Sequence, residues 1–171
     1  MRTVVVNDFE SWRLAARPLL AAGVPPEEVA FRDELAPRGL FDDEGAPAGP
    51  CVTSETTASR AFRVPRPFLE SARRAACHRD DDRFDLLYRV LYRLLGDEPY
   101  LLEIASDDDV CRLHQLAKAV ARDAHKAKAF VRFRRIEDGQ GEQFVAWHRP
   151  DHRILRLVAP FFARRFPAMR W

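Results

Sequence analysis

Two long amphipathic stretches, each opened by a run of acids, constrain this chain more than any other feature. In residues 80–95, Phe84, Leu87, Tyr88, Leu91 and Leu95 recur near helical spacing, and in residues 107–128 Val110, Leu113, Ala117, Val120 and Ala124 do the same. Asp80, Asp81 and Asp82 open the first stretch; Ser106 with Asp107, Asp108 and Asp109 opens the second. Carboxylates there meet the positive end of a helix dipole and cap free backbone N–H groups. Neighbouring residues on a helix point in different directions, so these triplets cap helices rather than converge on an ion.

The second stretch has another side. Lys118, Arg122 and His125 follow one another at i, i+4, i+7, and His125-Lys126-Ala127-Lys128 runs directly into an aromatic, arginine-rich segment. Residues 130–136 and 144–148 are rich in β-branched and aromatic side chains, and the Asp138-Gly139 step between them predicts an antiparallel hairpin. Alternation then puts Val131, Phe133, Val145 and Trp147 on a core face, with Arg132, Arg134, Phe144 and His148 on the other. Such a cationic, partly aromatic face fits phosphates and bases. Solvated sheet faces are also ordinarily polar, so solubility alone accounts equally well for the arginines.

The remaining segments complete a helix-rich α+β fold, expected as one domain over residues 1–171. Residues 1–6 read as a strand; Asn7 or Asp8 caps a helix that Pro18 is expected to kink or split and Gly23 to end; residues 28–31 read as a second strand, giving a β-α-β opening. No glycine-rich loop follows the first strand, so the opening lacks the backbone cradle of a dinucleotide site. Residues 33–61 are loose in composition and carry the hydroxyl run Thr53-Ser54-Glu55-Thr56-Thr57. A short strand is expected at 60–64, a helix at 67–77 and a largely buried helix from 151 onward.

Charge is distributed unevenly. Of 28 Lys and Arg and 26 Asp and Glu, 14 bases but only 5 acids fall between Cys111 and Trp171. A basic pole of this kind attracts polyanions, or docks on the acidic part of its own chain. On the first view, Lys118, Arg122, His125, Lys126, Lys128, Arg132 and Arg134 are phosphate contacts, and Phe144 and His148 are the stacking groups. Trp147 belongs to the core on this reading. The expected partner is DNA, with single strands bound at least as well as duplex.

Other chemistries find less support in the residues. Cys111 with His114, Cys77 with His78, and His148 with His152 match no paired-cysteine zinc spacing, so neither metal nor cofactor is expected. Nothing around Cys51, Cys77 or Cys111 marks a nucleophile, and no catalytic residue is assigned. Three cysteines do not make the disulfide framework of a small secreted protein, and no apolar run suits a signal peptide or membrane span. A cytoplasmic setting with no membrane partner follows as the expectation.

The blocks Ser59-Arg60-Ala61-Phe62-Arg63-Val64-Pro65, Ala76-Cys77-His78-Arg79-Asp80, 125–133, 144–148 and 159–166 are similar to those of a bacterial family linked to DNA metabolism or repair. The likeness spans nearly the whole chain. Members of that family occur beside a radical SAM protein or fused ahead of a UdgX-type uracil-DNA glycosylase-like domain. The resemblance therefore implies an accessory DNA-binding domain, with two alternatives: an adaptor for the radical SAM or glycosylase-like partner, or an enzyme whose reaction the residues do not identify. Ala127 stands where family members usually have methionine. Members also continue past the position of Trp171, so the chain is expected to be an excised N-terminal part of a longer one. The glycosylase-like domain's uracil-handling residues and iron-sulfur cluster are not carried over.

Overall fold

The computed structural model describes residues 1–34, 62–138 and 141–171, without the side chain of Asp138. Most of the loose stretch expected at 33–61, with its hydroxyl run, lies outside these residues, as do Gly139 and Gln140 of the expected turn. The described elements confirm the mixed helix-and-strand reading, with a parallel strand pair and an antiparallel one.

Strand β1 (Arg2–Val6) pairs in parallel with β2 (Val29–Asp33), Val4 opposite Phe31 and Val6 opposite Asp33. Helix α1 (Phe9–Ala21) joins them. Its first turn is fixed by a capping box: Asp8 accepts from the Ser11 N–H at 2.9 Å, and the Ser11 hydroxyl accepts from the Asp8 N–H at 3.0 Å. The helix continues past Pro18, which stands on the exposed side, so the expected split does not occur. At its end Val24 N–H reaches the Leu19 carbonyl and Gly23 N–H the Leu20 carbonyl. This double closure needs a left-handed residue, and Gly23 supplies it at φ 68°.

Helices α2 (Arg66–Ala75), α3 (Arg83–Leu95) and α4 (Asp108–Phe130) follow. The capping expectation holds at α4, where Asp107 accepts from the Val110 N–H at 3.0 Å, but not at α3, where Asp82 makes no side-chain cap. Phe84, Leu87, Tyr88 and Leu91 are buried as their spacing predicts, together with Trp12, Phe31, Phe68, Val110, Leu113 and Leu116. Two polar groups in this first core are satisfied internally: Trp12 Nε1–H donates to the Phe84 carbonyl at 3.2 Å, and the Tyr88 hydroxyl donates to the Val24 carbonyl at 2.7 Å. Burial raises the Tyr88 pKa to about 12.

A second core lies beyond the first. Val120, Ala124 and Ala127 of α4 pack with Ile154 and with Val158 and Phe162 of α5 (Leu155–Arg165). Helix α5 starts later than expected, because the Asp123 carboxylate accepts from the His152 N–H at 2.8 Å and holds the preceding bend. It is also less buried than its composition promised, with Leu155 exposed and Phe161 half-buried. Phe62–Val64, the described part of the strand expected at 60–64, forms no strand.

The hairpin is real but displaced. Helix α4 runs on through Phe130, so β3 (Arg134–Asp138) starts four residues later than expected and pairs with β4 (Gly141–Val145). Arg134 stands opposite Val145 and Arg135 opposite Phe144. Paired residues share a face, so Arg134 does not share one with Phe144 as the alternation argument held. Val131 and Phe133, expected on the strand's core face, reach the second core from the connecting segment. The ladder ends at Val145, and Trp147, assigned to the core, is 91% exposed.

Candidate nucleic-acid interface

Helix α4 has 23 residues, and burying one side of it obliges the other to face water. Lys118, Arg122 and Lys126 fall at i, i+4, i+8 along that outer side, with His125 beside them, and all four are exposed. Lys128 is turned toward α5, its Nζ 5.5 Å from the Phe161 ring centre. Arg132 follows the helix end and donates to the Ala129 carbonyl at 2.8 Å, while exposed Arg134 opens β3.

These bases differ from those of the acid-rich half in what they touch. Arg89 pairs with Asp109 at 2.8 Å; Arg93 is held by Glu98 at 2.8 Å, Asp107 at 2.7 Å and Asp109 at 3.0 Å; Arg112 pairs with Asp80. Hydrogen bonds from Arg93 hold the Asp107 carboxyl below its usual value. Arg153 and Arg156 do dock on acids of the first half, Asp33 and Asp8. Lys118, Arg122, His125, Lys126, Lys128, Arg132 and Arg134 form no ion pair among the described residues. In the hairpin, Arg135 is neutralised by Glu137 and Glu142, whereas Arg134 has no ion pair among the described residues.

The predicted site residues divide into two groups. Lys128, Arg132 and Phe144 meet at a cavity of about 330 Å³, with Phe133, Phe161, Phe162, Arg165 and Phe166 among its other lining residues. The rings brace one another: Phe133 stands edge-on to Phe162 at 5.5 Å and to Phe166 at 5.6 Å. The Phe144 N–H donates to the Arg170 carbonyl at 2.8 Å, tying β4 to the chain's end. Lys118, Arg122, His125 and Lys126 form the line along α4. His148 is exposed beyond β4 and does not line the cavity. Trp147, assigned to the core from the sequence, is an exposed ring beyond β4, and Arg165 is a cavity base that the sequence reading did not assign.

A second polar centre was also missed. Arg83 Nε donates to the Ala76 carbonyl at 3.0 Å and Nη1 to the Asp80 carbonyl at 2.8 Å, and Nη2 donates to the Asp33 carboxylate, which Arg153 also meets. Burial lowers the Arg83 pKa, and the Asp33 contact opposes that shift. The available signal was spacing, since Arg83 is in phase with Leu87, Val90 and Leu94 on the apolar side of α3. An arginine there needs a buried partner. Nearby, the His78 and His152 rings meet with centres 4.1 Å apart and planes tilted by 32°, and burial raises the Cys77 thiol pKa, which disfavours a reactive thiolate. Among the described residues no three His, Cys, Asp or Glu side chains are placed to hold a metal ion. No helix there is long and apolar enough to cross a membrane.

Fold and surface together define a small mixed helix-and-strand domain with a basic face, unpaired among the described residues, that ends in an aromatic cavity. The chain belongs to the family described as a domain of unknown function, DUF4130, whose model matches residues 81–171. That match begins just before α3; the β-α-β opening and α2 precede it and share the first core. Neither a curated protein nor a solved structure gives a significant match.

Proposed function

We propose that this chain is an accessory nucleic-acid-binding domain acting in DNA repair or DNA metabolism. The observation carrying the reading is the contrast in charge pairing. Bases of α3 and the first turns of α4 are matched by carboxylates, whereas those from Lys118 to Arg134, exposed along one helix and its exit, have no acidic partner among the described residues. Unpaired cations in a line release counterions when a phosphate backbone replaces solvent. The exposed Trp147 ring adds a stacking platform that favours unpaired bases over duplex. The similarity of the sequence blocks to a DNA-metabolism family supports the same reading.

The test is fluorescence anisotropy of labelled single-stranded and duplex DNA across a salt series. Replacing Arg132 and Arg134 together by Gln should weaken binding and flatten the log–log salt slope by about 0.7–0.9 per lost contact. Replacing Arg13 and Arg66, which sit in exposed pairs with Glu10 and Glu70, should do much less. Equal losses for both pairs, or no binding by the folded wild type at low salt, would overturn the proposal.

A second reading is an adaptor for a protein partner, such as a radical SAM or glycosylase-like protein. Trp147, Phe130, Val145 and Ile136 are all exposed near the hairpin. Failure of the DNA experiment would leave this apolar group as the surface to test.

A further inference from the structure

We infer that the cavity between α4, β4 and α5 takes one unpaired base of a bound DNA strand while its rim holds the flanking phosphates. This rests on the nucleic-acid reading and adds a specific pocket to it. The cavity's volume, about 330 Å³, lies at the lower end of the ~300–1,000 Å³ in which proteins enclose small ligands, which suits one heterocycle with its sugar. Its walls are rings and its rim is cationic. Lys128, Arg132 and Arg165 are exposed lining residues, and none of the described lining residues is acidic. An apolar ligand would leave three cations without a counterpart, and an anion without a flat apolar part would leave the rings unused; a nucleotide supplies both parts.

The geometry separates those two tasks. Lys128 Nζ is 5.5 Å from the centre of the Phe161 ring, and the Arg165 guanidinium carbon is 5.6 Å from the centre of the Phe166 ring. Each cation is thus held at a ring by its attraction to the π face, so it stays near the mouth instead of extending into solvent. Phe133 is locked edge-on between Phe162 and Phe166 and serves as floor. Phe144 enters from the hairpin, and its half-buried ring is placed to close over a base. The exposed line of Lys118, Arg122 and Lys126 then leads the rest of the strand away along α4.

The experiment compares two strands of equal charge, a thymidine 12-mer and a 12-mer of abasic tetrahydrofuran sugars, titrated into the full chain at low salt. The wild type should prefer the base-bearing strand by about tenfold, as expected of base–aromatic stacking. Phe144→Ala should remove most of that preference, leaving only the share of the exposed Trp147 ring, and so should Phe144→Leu, which keeps an apolar side chain at the cavity but removes the ring. Each variant is checked by its thermal melt. Binding with no preference for bases would overturn the pocket while leaving the phosphate surface standing. A preference undiminished in both folded variants would overturn the pocket and place stacking elsewhere, with Trp147 the next ring to replace. Absence of binding to either strand would overturn the nucleic-acid reading and this inference together.

Discussion

Arg83 and Asp33 form an ion pair from which solvent is excluded, their side chains being 0% and 1% exposed. Arg153, from the segment before α5, meets the same carboxylate. One acid at the end of β2 thus anchors the start of α3 and the approach to α5.

Asp33→Ala leaves the Arg83 cation buried without its counter-charge, and the expected cost is about 3–5 kcal/mol. Arg153→Ala keeps the inner pair, and Arg153 is partly open to water, so it should cost less. Urea unfolding of both variants at one pH measures the difference. Equal midpoints for Asp33→Ala and the wild type would mean that the pair contributes nothing to stability.

His78 predicts a pH dependence. Burial first, and then the facing His152, hold its pKa below 6.5; Arg112 and Arg83 act the same way, while Asp80 pulls upward. Its Nδ1 also accepts from the Asp80 N–H at 2.9 Å, a bond that protonation removes. The folded chain therefore binds this proton less readily than the unfolded one. The contribution is fully present above pH 6.5 and is lost as pH falls through that value toward the folded pKa. Urea midpoints between pH 7.5 and 5 should fall in the wild type and fall less in His78→Gln; parallel curves would remove His78 as the cause.

Gly23 tests the closure of α1. No atom lies within 4 Å of a Cβ built there, so Gly23→Ala meets only the backbone penalty of φ 68°. That penalty is roughly 1–2 kcal/mol. Asn, which tolerates the left-handed region better, should lose less in a thermal melt, and an Ala variant as stable as wild type would mean that the turn rearranges.

The outer line of α4 predicts opposite signs for stability and binding. Lys118, Arg122 and Lys126 repel one another at i, i+4 spacing, which costs about 0.2–0.5 kcal/mol per pair. Replacing all three by Gln should slightly raise the melting temperature while weakening DNA binding. If stability and binding fell together, these cations would belong to the fold instead of a binding surface.

The amphipathic stripes of α3 and α4, the Asp107 cap, the β-α-β opening and the basic line were legible because each depends on local periodicity or on a turn residue. The hairpin register was not. Phe130-Val131-Arg132-Phe133 satisfies a strand pattern, yet packing of Ala124 and Ala127 against Ile154 and Val158 holds the chain helical through Phe130. The ladder ends at Val145, which leaves Trp147 beyond it, and the pairing of Asp138 with Gly141 sets Arg134 opposite Val145, a one-residue difference in register that parts it from Phe144. Asp33 was hidden for another reason: an acid before a proline- and glycine-rich stretch reads as loop, and its burial depends on arginines 50 and 120 residues away. The cavity combined three expected residues, Lys128, Arg132 and Phe144, with α5 rings that had been assigned only to packing.

Helix α4 gives Val110, Leu113 and Leu116 to one core and Val120, Ala124 and Ala127 to the other. The two cores are therefore joined by a continuous ladder of backbone hydrogen bonds, and the distal core can open by fraying α4 only back to Val120. Amide exchange should accordingly divide within a single helix, slow before Leu116 and faster after Val120. A strand bound at the aromatic end would slow exchange in the distal half alone.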